Sequence, residues 1–215
     1  MRSRWLGFWI AGLALLVSAL AYPHLPARVP SHWNVHGEVD GYSSRLVGAL
    51  LLPAMILGFA LLAQILPKID PKRRNYERFR GTYWLFMNGV LLFVLGLHAA
   101  MLAAGIGMHV NMNRLLPVGM GLLFVLLGNY MGRVRPNWFV GVRTPWTLSS
   151  DTVWRKTHRT AGQVFVAGGI VIALSTFLPS PASMIVLVVT VIVMPAIPIV
   201  QSYVLWKREQ ANATQ

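Results

Sequence analysis

The chain has 215 residues, 55% of them apolar and only 12% charged, which excludes an ordinary water-soluble domain, whose surface needs more polar side chains. Its 19 Lys and Arg against 6 Asp and Glu give a net charge of +13. The basic residues cluster between long apolar runs, so membrane topology accounts for them before direct nucleic-acid binding does. With no Cys, disulfides, thiolate metal sites and cysteine nucleophiles are all excluded.

A helix crossing a hydrocarbon core needs roughly 17 to 25 mostly apolar residues. Six runs of about that length occur, near 5–22, 46–66, 82–104, 115–131, 161–178 and 183–206. They lack the sustained alternation of barrel strands, and an open sheet would leave peptide groups unsatisfied in lipid. The expected fold class is therefore all-α: a polytopic membrane protein with six transmembrane helices. Lys and Arg of short loops stay on the cytoplasmic side. With both termini cytoplasmic, sixteen basic residues lie inside and three outside, a ratio that the opposite orientation would invert. On this frame, residues 1–66 form two transmembrane helices with an external loop. Residues 67–215 form a four-helix membrane region with basic cytoplasmic loops, and the cytoplasmic membrane is the expected location.

In chain order, the first run follows Arg2 and Arg4 and ends on Ala19-Leu20-Ala21, which also fits a cleavable signal peptide, while Trp5, Phe8 and Trp9 favour a retained interfacial anchor. Pro53 in the second run, with Pro195 and Pro198 in the last, implies helix breaks or kinks. Gly128 and Gly132 form a small-xxx-small pair that permits close helix approach. No Asp, Glu, Lys or Arg occurs in 81–113 or 160–206, which weighs against a proton-coupled pump. His98, inside the third run, reads either as a relay member or as a neutral imidazole bonded to a neighbouring helix.

The external loop contains Pro23, Pro26 and Pro30, then His32-Trp33-Asn34, His36-Gly37-Glu38 and Asp40-Gly41-Tyr42. Prolines restrict its first half and Gly37 and Gly41 permit turns, so a compact cap is expected. Three readings stand together. His32, His36, Glu38 and Asp40 offer imidazole and carboxylate ligands for a divalent metal, although turn residues interrupt a shared face. Asn34, His36, Glu38 and Asp40 also suit turn stabilisation, with Trp33 and Tyr42 as interfacial anchors. The same residues can recognise a ligand or peptide.

The longer cytoplasmic loop holds Arg135-Pro136-Asn137, Gly141, Arg143-Thr144-Pro145-Trp146, Trp154 and His158. Ser149 or Ser150 caps a short helix expected over about 150–160, with Asp151 in its first turn. Trp154 and His158, four apart, share a face, and Arg155, Lys156 and Arg159 add positive charge suited to an anionic lipid surface. Asn137, Arg143, Thr144 and Trp146 also form a shaped surface for a cytoplasmic partner, with Pro136, Gly141 and Pro145 fixing their presentation.

These two loops resemble those of the SdpI family of bacterial membrane proteins. In that family a loop similar to Leu25-Pro26, Pro30, His32-Trp33-Asn34, Gly37 and Asp40-Gly41-Tyr42 follows the first span, in a region catalogued as a domain of unknown function. A later signature, at 135–159 here, is similar to Arg135-Pro136-Asn137, Gly141, Arg143-Thr144-Pro145-Trp146-Thr147-Leu148-Ser149, Trp154 and His158. The resemblance implies immunity and signalling: protection from a secreted peptide toxin outside and retention of a transcriptional repressor at the membrane inside. The sequence has no Ser–His–Asp constellation, phosphate loop or nucleotide fingerprint, so neither a cofactor nor catalysis is expected. His32, Trp33, Asn34, His36, Gly37, Glu38, Asp40, Gly41 and Tyr42 are then candidates for external recognition. Arg135, Pro136, Asn137, Gly141, Arg143, Thr144, Pro145, Trp146, Trp154 and His158 are candidates for the inner partner. A small transporter and, more remotely, a metal-dependent membrane enzyme are the alternatives.

Overall fold

A helix satisfies its own peptide groups, and this is the solution adopted throughout the computed structural model, which describes residues 2–179 and 181–213. Helix α1 spans Leu6–Ala21 and leads through a short 3₁₀ turn to strands β1 (Arg28–Trp33) and β2 (Val39–Ser44). Helices α2 (Arg45–Ile69), α3 (Asn75–Gly105) and α4 (Met112–Met131) follow, then the five-residue α5 (Pro145–Ser149), α6 (Asp151–Ser175) and α7 (Ala182–Ala213). The long helices alternate in direction, so the hairpin caps one end of the bundle and the 132–150 loop closes the other. The molecule is an all-α membrane protein with one small antiparallel sheet in its first loop.

Among the described residues, five helices are long and apolar enough to cross a membrane: α1 continued through its 3₁₀ turn to His24, then α2, α3, α4 and α7. Helix α6 is not among them, because its first turns carry Asp151, Arg155, Lys156 and Arg159. The short cytoplasmic helix expected at 150–160 and the fifth apolar run are thus one continuous helix, capped by Ser150, whose Oγ accepts from the Val153 amide at 3.2 Å. Helices α2 and α7 continue through Pro53, Pro195 and Pro198. The non-helical backbone within α3 falls instead at Phe79 (φ −133°, ψ 21°). Outward apolar residues such as Phe59, Leu122 and Ile192 are half or more exposed, the surface that lipid covers.

Lipid is as apolar as leucine, so these helices associate through close packing and hydrogen bonds. Helices α4 and α6 meet along glycine pairs spaced by seven, Gly121 with Gly169 and Gly128 with Gly162. A Cβ on Gly128 would fall 2.7 Å from the Gly162 carbonyl oxygen, and one on Gly169 would fall 2.6 Å from that of Gly121. Gly132, the other half of the expected small-xxx-small pair, faces open space. Polar pins join the other helices. Ser18 Oγ donates to the Ala49 carbonyl at 2.6 Å and lies 2.8 Å from His98 Nε2, so His98 ties α1 to α3 beside α2. Gln64 Nε2 donates to the Arg4 carbonyl and Gln201 Nε2 to Thr160 Oγ1.

Candidate functional site

The first region is the hairpin. Neither strand has a strong β-forming run, and pairing is decided by what one face buries. Val29 is wholly buried with Leu25 against Ala49, Met101 and Leu102, which fixes the hairpin to the ends of α2 and α3. Its turn is built by Asn34, whose Oδ1 accepts from the amides of His36 (2.9 Å) and Glu38 (3.1 Å) while its Nδ2 donates to Glu38 Oε2 (3.0 Å). Gly37 completes the turn at φ 84°, a conformation side chains with a Cβ rarely adopt, and sits against Asn113 at the start of α4.

This architecture turns polar side chains outward. His32, His36, Glu38, Asp40 and Tyr42 are exposed, and Trp33, Asn34, Gly37 and Gly41 are half-buried. His32 Nδ1 pairs with Asp40 Oδ1, and Arg28 lies over the Tyr42 ring, 5.5 Å from its centroid. Of the four candidate metal ligands, the structure brings His32 to Asp40 and leaves Glu38 on Asn34. Among the described residues no three His, Asp or Glu gather as a metal cluster. A cavity of about 300 Å³ opens beneath the hairpin between His32, Trp33, Asn34, Met101, Met112 and Met184, combining polar groups with an apolar floor.

The second region, at the opposite end, is held by buried hydrogen bonds. Asn137 is fully buried: Oδ1 accepts from the amides of Phe139 (2.9 Å) and Val140 (2.6 Å), and Nδ2 donates to the carbonyls of Arg135 (2.8 Å) and Val140 (3.0 Å). Trp154, also fully buried, donates from Nε1 to the Val134 carbonyl at 2.9 Å and stacks on His158 with centroids 4.0 Å apart. His158 Nε2 accepts from the Val142 amide at 3.0 Å, so its proton sits on Nδ1 and is directed to the Trp154 carbonyl at 2.9 Å. Burial pushes this imidazole down to about 4, partly opposed by that carbonyl. Gly141 has φ 105°, and a Cβ there would overlap the His158 ring, so both backbone and space demand glycine.

Thr144 and Thr147 form a capping box at α5, and Thr144 Oγ1 lies 3.0 Å from Ser202 Oγ of α7. Arg143, exposed, donates from Nη1 to the Trp138 carbonyl, and Trp146, half-buried, leans on Tyr203 with centroids 5.1 Å apart. Of the ten inner candidates, Pro136, Asn137, Thr144, Trp154 and His158 are buried, whereas Arg135, Arg143 and Pro145 are exposed.

Sequence reasoning missed the partner of this loop. Asp70, 2% exposed at the end of α2, accepts from the Lys72 amide (2.7 Å), the Tyr76 hydroxyl (2.9 Å) and the Trp138 amide (2.9 Å). Asn75 Nδ2 donates to the Pro136 carbonyl at 2.7 Å. The available signal was Asp70 itself, an acid at the end of an apolar run within a chain that has only six acidic residues. The result is a clasp joining the α2–α3 turn, the 132–150 loop, α6 and α7.

Comparison with known proteins sets these two regions in context. Residues 133–202 match the model of the SdpI/YfhL protein family, and residues 9–57 match a domain of unknown function, DUF1648. The chain is 27% identical over 208 residues, covering 97% of it and 98% of the relative, to the Immunity protein SdpI of Bacillus subtilis (strain 168). It is 26% identical over 84 residues, 39% of this chain and 82% of the relative, to the Uncharacterized membrane protein YbgB of the same organism. No solved structure matches. The 133–150 part of the clasp, with α6, lies inside the first matched segment, its Asp70, Asn75 and Tyr76 lie outside it, and the hairpin lies inside the second.

Proposed function

This chain belongs to the SdpI/YfhL protein family, and on that premise we propose that it is an immunity protein of the bacterial cytoplasmic membrane, recognising a secreted peptide toxin or an envelope disturbance at its external hairpin. The observation that carries the reading is the similarity to an immunity protein along nearly the whole chain. The geometry agrees with it: the hairpin displays His32, His36, Asp40 and Tyr42 and stands over a cavity that is polar at its rim and apolar below, suited to an amphipathic peptide. No catalytic residue is assigned.

In this reading α6 crosses the membrane from about Thr160 beside α4 and α7, making six spans with both termini inside. Residues 1–66 serve external recognition and residues 67–215 the inner response. Helices α2 and α3 both touch the hairpin at one end, through Ala49 and Leu102, and the clasp at the other, through Asp70 and Tyr76. A ligand that favours one packing of this pair is therefore felt at the exposed Arg135, Arg143 and Pro145, where a cytoplasmic regulator docks.

The test is survival. Cells sensitive to secreted envelope-active peptides, made to express this chain, are expected to survive at least one peptide that kills the control. Tyr42→Ala with His32→Ala is expected to abolish that protection at normal membrane levels. Equal killing with and without the chain, across such a panel, contradicts the proposal.

A further inference from the structure

On the face opposite the hairpin, the start of α1, the first turns of α3 and the segment after α4 enclose a cavity of about 390 Å³ lined by Arg2, Arg78, Arg80, Arg133 and Arg135. Glu77 is the acid in its wall, and among the described residues none of these five guanidinium groups has a carboxylate partner. Five like charges from three separate elements repel one another when empty, and an anion with several acceptor oxygens relieves that repulsion. The floor is shaped by Phe79, Gly81 and Thr82, at the irregular backbone of α3.

Depth decides what kind of anion. The apolar part of α1 begins at Leu6, that of α3 at Gly81, and α4 ends at Met131, so the ring of arginines stands where three apolar segments reach water. The Tyr130 ring lies under two of them, 5.8 Å from Arg2 Cζ and 4.9 Å from Arg133 Cζ. Trp5 and Trp9, 55% and 76% exposed, flank the same end of α1 as headgroup-level anchors. A recess of this size admits a phosphate headgroup but not the surface of a folded protein.

We propose that this cavity binds the phosphate headgroup of an anionic phospholipid of the inner leaflet, with Arg78, Arg80 and Arg133 as its principal contacts. Guanidinium groups hold phosphate oxygens bidentately, and basic pockets between helices on the cytoplasmic side favour such lipids. The site is independent of the toxin reading, since it requires no ligand outside.

Native mass spectrometry of the full chain, released from bilayers of equal phosphatidylcholine and phosphatidylglycerol, tests it. One retained phosphatidylglycerol per chain is expected, at least tenfold over phosphatidylcholine. Arg78→Gln with Arg80→Gln and Arg133→Gln is expected to lose that excess, whereas Arg73→Gln with Arg74→Gln, the same type of change outside the cavity, keeps it. If the triple variant does not insert, Arg80→Gln alone is expected to lower retention several-fold. Equal retention of the two lipids, or an unchanged excess in the cavity variants, overturns the proposal. So does displacement of the lipid by millimolar inorganic phosphate, which would mark a site for free phosphate. Occupancy of Arg78, Arg80 and Arg133 by an acidic protein in native-membrane crosslinks would overturn it as well.

Discussion

The hairpin and the clasp are equally rich in polar and aromatic motif residues, yet they use them in opposite ways. In the hairpin, the His32 side chain is 70% exposed and Tyr42 51%, so truncation removes chemistry from a surface. In the clasp, Asn137, Trp154 and His158 are fully buried, so truncation removes a loop's internal scaffold. A polar motif residue can therefore mark display at one end of a bundle and internal support at the other. Burial and hydrogen-bond partners tell them apart.

The sharpest way to break this contrast is to strike the clasp at its centre. Trp154→Ala deletes a buried indole and leaves the Val134 carbonyl unpaired, at a cost of about 3–5 kcal/mol. Gly141→Ala forces a Cβ into His158 at a positive φ, and both variants are expected to show much lower melting temperatures in detergent and less protein in the membrane. Asp70→Ala removes the acceptor of three hydrogen bonds and is expected to cost about 2–3 kcal/mol, read in the same melts.

His158 sharpens the comparison by pH. Its folded value, about 4, lies below the ordinary imidazole value, so between those limits the unfolded chain binds a proton that the folded chain does not. This contribution to stability is complete above about pH 6.5 and falls as pH drops toward 4, by up to roughly 1.4 kcal/mol per pH unit. Melts at pH 7 and pH 4.5 are expected to diverge less in His158→Gln than in the wild-type chain. A wild-type melt that does not fall on acidification would contradict a neutral, buried His158. Smallest in stability are the hairpin variants: His32→Ala and Tyr42→Ala should move the melt by less than about 0.5 kcal/mol while protection is lost, because these groups face solvent.

Most of the helices are legible in apolar run length, and the Ser150 cap and the shared face of Trp154 and His158 in residue type and spacing. The hairpin was not, because β1 and β2 are short and polar, and only Val29 docking on α2 and α3 makes them strands. The glycines that bring α4 and α6 together are spaced by seven, outside the four-residue small-xxx-small pattern. A helix boundary at 160 was expected where charge gives way to apolar residues, yet backbone helicity runs through that change. Asp70 stands out as an acid at the end of an apolar run, but its partner, the Trp138 amide, lies 68 residues away and no local pattern names it. At the candidate sites, residue type was legible and exposure was not: Asn137 and Tyr42 look alike in a motif, and only folding buries one and displays the other.

Because the chain has no Cys, single cysteines report without background. The most direct measurement is labelling of Tyr42→Cys and Trp138→Cys in intact cells with a membrane-impermeant maleimide. Tyr42→Cys is expected to be labelled at once, and Trp138→Cys only after the membrane is opened. Labelling of Trp138→Cys in intact cells, with Tyr42→Cys protected, would contradict external display and internal support together.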